Sequence, residues 1–147
     1  MPIHHHWDDE DHTILIYTYE GNWTLEEYHK AVDLNYDLVN GEPHPVDLIL
    51  DFTKSGSGAT QLLSAARHAE RKVAPNQRLF VSVKIPGFVR AVAEMALKFV
   101  PSLREKMRNA STLEEARMII KHYRQGLEEK QKSEEKHPDS HSKRRVR

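Results

Sequence analysis

Residues 46–52, Val46-Asp47-Leu48-Ile49-Leu50-Asp51-Phe52, constrain the fold more than any other stretch. Five of the seven are apolar, and most of those are branched or aromatic. A short run of this kind fits a strand buried on both faces, which is usually parallel and central. Asp51 stands near its carboxyl end. The stretch Thr53-Lys54-Ser55-Gly56-Ser57-Gly58-Ala59-Thr60 follows and reads as a loop leading into a helix. In open α/β sheets, ligands and partners bind at the carboxyl ends of the strands, so this loop is the first place to look for a site.

The flanking pattern alternates between strand and helix. Ile3 to Trp7 is a short edge strand, and Asp8-Asp9-Glu10-Asp11 is a turn-like break. His12 to Glu20, rich in Ile and Tyr, is the returning strand. A four-residue loop would close the two into a hairpin facing Trp7 to His12 and Ile3 to Ile16. Thr24 and Glu27 form a capping box that opens a helix. Leu25, Tyr28, Val32, Tyr36 and Val39 give that helix one apolar face. Gly41 is placed to end it in the left-handed conformation, and Pro43 and Pro45 prevent its continuation. A second helix is expected from Thr60 to Val73, with Leu62, Ala66 and Ala69 in its stripe. A strand is expected over 78–85 and a third helix over 87–100. Leu103 to Arg108 reads either as a helical turn or as the approach to a short strand near Met107. Ser111-Thr112-Leu113-Glu114-Glu115 opens the last helix with another capping box. Leu113, Ala116, Ile119, Ile120 and Tyr123 supply its packing face.

These elements predict one α/β domain over 1–126. Its sheet is mixed and mostly parallel, with four to five strands, an N-terminal antiparallel hairpin and about four helices. The remainder, 127–147, is the charged end of the last helix and a tail. From about 132 the chain is nearly devoid of apolar residues, so disorder is expected there.

Composition removes several function classes. Lys plus Arg and Asp plus Glu number 22 each, so no net field draws the chain to nucleic acid or membrane. There is no Cys, which excludes disulfides, thiolate catalysis and Cys-based zinc sites. No apolar run reaches the ~20 residues of a membrane span. The N-terminus lacks the basic start and apolar core of a signal peptide. A cytoplasmic location is expected.

The element order, the Gly21-Asn22-Trp23-Thr24 turn, the strand carrying Asp51 and the Thr112-Leu113-Glu114-Glu115-Ala116 helix start together resemble the STAS superfamily. That superfamily is named for sulphate transporters and anti-sigma-factor antagonists. Within it, the chain is similar to small bacterial proteins of the fold, over roughly residues 3–125. The related CRAL-TRIO lipid-binding fold shares parts of the topology. The resemblance implies a non-catalytic regulatory or protein-interaction module. Antagonist members carry an Asp-Ser-Ser/Thr-Gly-Leu motif after the central strand, with a phosphorylatable hydroxyl. Here Ser57-Gly58 is the local match, which makes Ser57 the candidate phosphosite. The motif's leading Asp and trailing Leu are not in their places.

Several clusters invite chemistry. The hydroxyls of Ser55, Ser57 and Thr60 beside a helix start suit contact with a partner, an anion or a ligand. The loop lacks P-loop spacing, so nucleotide hydrolysis is not expected. Asp47 and Asp51, four apart on a strand, share a face, and solvation or backbone capping is their expected role. His4 and His6 fall on one face and His5 on the other, with His12 a possible neighbour of His5. Too few ligands converge for a zinc site, so no metal or other cofactor is expected. Arg67, Arg71, Lys72 and Arg78 form a basic group interrupted by Glu70, and Lys143 to Arg147 a basic end. Nucleic-acid binding is not expected from either. No nucleophile–base constellation is legible, so no enzymatic activity is expected.

The 87–100 helix has an unusually wide apolar surface. Arg90, Glu94 and Lys98 make its single polar stripe, with Glu94 and Lys98 spaced for an ion pair. Phe88, Val89 and Met95 flank that stripe and are the candidate contact residues for a protein partner or a weak homodimer. The alternative is a groove beside this helix that takes a small apolar or amphipathic, lipid-like ligand.

Overall fold

The computed structural model describes residues 2–56, 72–85, 87, 90, 91, 94, 95, 98 and 101–136. Five strands form one sheet in the order β1-β2-β3-β4-β5. They are β1 (Ile3–Trp7), β2 (Ile14–Gly21), β3 (Val46–Ser55), β4 (Gln77–Val83) and β5 (Met107–Ala110). The β1–β2 pair is antiparallel, and every other pair is parallel. Three continuous helices are described: α1 (Leu25–Asn40), α2 (Pro101–Lys106) and α3 (Leu113–Lys136). The protein is thus α/β with a mixed, mostly parallel sheet. The 46–52 run lies in its central strand.

The period of two along the strands divides the core into two layers. Leu15, Tyr17, Tyr19, Leu48, Phe52 and Phe80 face one way, packed with Trp23 and with Ala31 and Val39 of α1. Ile16, Ile49, Leu79, Val81, Val83 and Ala110 face the other way, against Ala116 and Ile120 of α3. Leu48 and Ile49 are adjacent in sequence yet both buried, which is why the strand reads as an unbroken apolar run. Burying each stabilises the fold by about 1.5–3 kcal/mol.

Several boundaries depart from the sequence reading. The hairpin pairs Ile3 with Tyr19 and Trp7 with Leu15, and β2 begins at Ile14 rather than His12. Asp9 causes the wider loop. Its carboxylate accepts the Thr13 hydroxyl (2.6 Å) and the backbone N–H groups of Thr13 (2.9 Å) and Ile14 (3.0 Å). Those bonds hold 8–13 as a structured turn, with His12 at a left-handed φ of 58°. β3 continues to Ser55 because Lys54 and Ser55 still pair with Glu20 and Gly21 of β2.

Thr24 caps α1 through the expected reciprocal box with Glu27. Gly41, however, is right-handed, with φ −75°. No left-handed reversal is needed, because Asn76 Nδ2 reaches in to the carbonyls of Val39 (2.6 Å) and His44 (2.9 Å). Both readings of 103–108 are realised, as α2 followed directly by β5. In α3, Thr112 Oγ1 accepts the Glu115 N–H (3.0 Å), and Glu115 reaches back to the Ser111 N–H (3.2 Å). The helix continues to Lys136, past the point where the chain becomes almost wholly polar. The helix expected over 60–73 lies mostly outside the described residues, as do 137–147.

Candidate functional site

The carboxyl ends of β2 and β3 meet at a tight backbone crossing. Ser55 pairs with Gly21, and the Gly56 N–H donates to the Gly21 carbonyl (2.8 Å). Gly21 has a φ of +59°, which lets β2 turn into the α1 cap. A Cβ on Gly56 would lie 2.5 Å from Asn22 Oδ1 and 3.1 Å from the Gly21 carbonyl oxygen, so a side chain here would require the Asn22 side chain to move and the crossing to open by a few tenths of an ångström. Trp23 Nε1 donates to Ser55 Oγ (2.9 Å), and Ser55 Oγ donates to the Gly56 carbonyl (3.1 Å). The Ser55 hydroxyl therefore closes the crossing and holds Trp23 in place. Ser57 and Thr60, the other hydroxyls of the expected site, lie outside the described residues.

Trp23 in turn anchors an aromatic group. Its ring meets Tyr19 at 5.5 Å edge-on and Tyr28 at 5.7 Å, while Tyr19 stacks on Phe52 at 4.5 Å. Burial pushes the Tyr28 hydroxyl up to about 12 and those of Tyr17 and Tyr19 further up. All three are neutral at physiological pH and pack as apolar rings.

On the 87–100 segment, residues 87, 90, 91, 94 and 95 are helical. Arg90 Nε donates to Glu94 Oε1 (3.1 Å), so Glu94 pairs toward the N-terminus rather than with Lys98. Met95, next to this pair, is 66% exposed, the most exposed large apolar side chain among the described residues. Phe88 and Val89 lie outside the described residues.

The amino ends of the parallel strands hold a cluster that sequence reasoning missed. Asp47 is wholly buried rather than solvated. Its Oδ1 accepts the Leu79 N–H (3.0 Å), and its Oδ2 accepts Arg78 Nη2 (3.0 Å) and Arg124 Nε (2.9 Å). Arg124 also donates to the Thr13 carbonyl (2.9 Å) and hydroxyl (3.2 Å). Two turns earlier on α3, Arg117 grips Asp8 with two 2.8 Å bonds. The hydrogen bond from Arg117 lowers the Asp8 carboxyl below its ordinary value. Burial acts to raise the Asp9 carboxyl, but the Thr13 hydroxyl and the Ile14 and Thr13 amides more than offset it, leaving it lowered. Two signals pointed to this cluster: an aspartate inside an apolar strand, and Arg124 four residues beyond Ile120 on the packing face of α3. Arg78 is thus committed to Asp47, and Lys72 lies over the Tyr36 ring at 5.3 Å. Arg67 and Arg71 lie outside the described residues. Asp51 accepts the Thr53 N–H (3.0 Å) and hydroxyl (2.5 Å), which places it in a capping role.

The β1 histidines and His12 do not converge on one another, and His12 and His44 both pair with Glu42 (2.8 and 3.5 Å). His4, His5 and His6 pair with Thr18, Tyr17 and Ile16. His12 stacks on Trp7 at 4.3 Å and donates to Glu42 (2.8 Å). Among the described residues, no group of three His, Asp or Glu is placed to hold a metal ion, and no helix is long and apolar enough to cross a membrane.

The architecture defines a mixed α/β protein with an antiparallel edge hairpin. No known family model matches the chain, and no curated protein is similar to it.

Proposed function

We propose that this chain is a non-catalytic interaction module of the STAS type, working in the cytoplasm, that presents the surface around Met95 to a protein partner. The exposure of Met95 carries the reading. Methionine, flexible and polarizable, is over-used at adaptable binding surfaces, and Met95 is left 66% exposed beside the Arg90–Glu94 pair. The state of the buried charges adds support. Asp47 and its two arginines are paired with one another at the amino ends of the strands, opposite the end where open α/β sheets carry their chemistry. Ser57 is the position at which a phosphate would regulate the module.

The test compares tagged wild-type protein with Met95→Glu in lysate of its own host, with quantitative identification of what each retains. A specific partner should be depleted about tenfold or more by the charge, as at a contact worth over 1 kcal/mol. Both proteins should melt at the same temperature. If the retained partners are identical, this surface is not the interface. A small molecule that remains bound in native mass spectrometry would instead favour the lipid-like-ligand reading.

A further inference from the structure

We infer that the outer edge of β1 pairs with the β1 edge of a second copy, joining two sheets across a two-fold axis at His5. The hydrogen-bond phase of the hairpin shows which groups face outward. The Glu20 N–H donates to the Pro2 carbonyl (2.7 Å), and the Asp8 N–H donates to the Ile14 carbonyl (2.9 Å). Pairs of even-numbered β1 residues therefore exchange bonds with β2, and in an antiparallel ladder the alternate residues turn their N–H and C=O groups away. Ile3, His5 and Trp7 thus offer their backbone groups along the free edge.

Those three positions are self-complementary. In an antiparallel pair centred on His5, His5 faces its own copy, and Ile3 faces Trp7 in both halves. All three outward N–H and C=O sets are then used. Because opposed residues share a face, the half-buried Ile3 of one copy covers the half-buried Trp7 of the other. His4 and His6 face each other on the opposite side. His5 is exposed, so no described side chain covers the axis.

Natural edges are usually guarded by charge, proline or a covering element. β1 has no Lys, Arg, Asp or Glu in its five residues. The opposite edge is guarded: on β5, Arg108 Nη1 folds back onto the carbonyls of Met107 (2.8 Å) and Glu105 (2.9 Å). The contrast singles out β1 as the edge open to a partner. A second copy is the occupant whose strand matches it residue for residue, giving the isologous contact of a two-fold dimer. So short a strand makes a small interface, so the dimer is weak and dependent on concentration.

Sedimentation equilibrium of the full chain, from micromolar concentrations to about 1 mM, measures the association. The wild type should dimerise. His5→Pro removes an outward N–H and should weaken the dimer at least tenfold, because proline is tolerated on a free edge but cannot donate across it. His5→Lys places two like charges on the axis and should do the same, whereas His5→Thr should leave the dimer intact. Amide exchange gives an independent reading. The amides of Ile3, His5 and Trp7 should become protected as concentration rises, while those of His4 and His6 are protected throughout. A chain that stays monomeric at the highest concentration overturns the inference. So does a dimer that is indifferent to both His5→Pro and His5→Lys, or one abolished by Met95→Glu with the odd-numbered amides unprotected.

Discussion

Replacing Asp47 with asparagine tests whether the buried charge cluster holds α3 to the sheet. The substitution is nearly isosteric, so it leaves no cavity. It retains an oxygen for the Leu79 N–H, which now sits 3.0 Å away. What it removes is the oxygen that receives Arg78 at 3.0 Å and Arg124 at 2.8–2.9 Å, putting an N–H₂ donor before two guanidinium donors. Breaking a buried pair by removing one partner costs about 3–5 kcal/mol, because the remaining charge is left uncompensated. The Arg78 and Arg124 side chains keep 24% and 28% of their exposure, so water relieves part of that penalty. The expected cost is therefore at the lower end, about 3 kcal/mol. With a urea dependence of about 1–3 kcal/mol per molar, the midpoint should fall by about 1–3 M. Urea unfolding followed by circular dichroism at pH 7 measures this directly. The Arg124→Gln background gives the coupling, since Asp47→Asn should cost less there by about 1–3 kcal/mol. A loss below about 1 kcal/mol with an unchanged urea slope would refute the reasoning. It would mean that the cluster is electrostatically neutral in net effect.

Two further outcomes follow from the same geometry. Leu48→Ala should cost about 2–5 kcal/mol in the same urea assay, because Leu48 is 3% exposed at the centre of the α1 layer; a loss under about 1 kcal/mol would remove β3 from the core. Asp8 has its carboxyl lowered in the folded state by Arg117, so its contribution is present above the ordinary value of 3.8 and fades as pH falls through the lower folded value. Asp8→Asn should accordingly cost about 1 kcal/mol or less at pH 7, since Arg117 is 44% exposed, and nothing at the acid end; a cost that is unchanged or grows on acidification would contradict the pairing.

The sequence made the alternation legible because each layer had a period that local chemistry could enforce. Leu48 and Ile49 announce a strand covered on both sides, and Thr24 with Glu27 announces a helix start whose bonds are all within four residues. Two of the failures share a cause: a residue distant in sequence decides the local geometry. Gly41 needs no left-handed turn because Asn76, from the far side of β3, takes the Val39 carbonyl at the helix end. β3 outlasts its apolar run because β2 supplies ladder partners as far as Ser55. Local propensity is silent about both, because the deciding bonds join residues whose neighbourhood exists only once the sheet has formed. The hairpin register is a different case: the Asp9 side chain closes a wider loop through bonds to Thr13 and Ile14, four and five residues on, a local turn chemistry that a simple hairpin register overlooks.

The same distinction separates the two ends of the sheet. Asp47 and Asp51 are alike in sequence and share a face, yet they serve different purposes. Asp47 stands where β3 enters the core and where α3 crosses back, so Arg124 can reach it and lock the last helix to the hairpin through Thr13. Asp51 stands where β3 leaves the core, and its bonds go no further than Thr53. A carboxylate that fixes three elements cannot change partner without loosening all of them. The Asp51 bonds, by contrast, join neighbours in sequence and cost less to exchange. The carboxyl end is also where Gly21, Ser55, Gly56 and Trp23 build a rigid backbone crossing directly before the hydroxyl-rich stretch. The fold thus keeps its buried ion pairs at the amino ends of the strands, while the carboxyl ends of β2 and β3 are tied by backbone pairing and the Trp23–Ser55 bond.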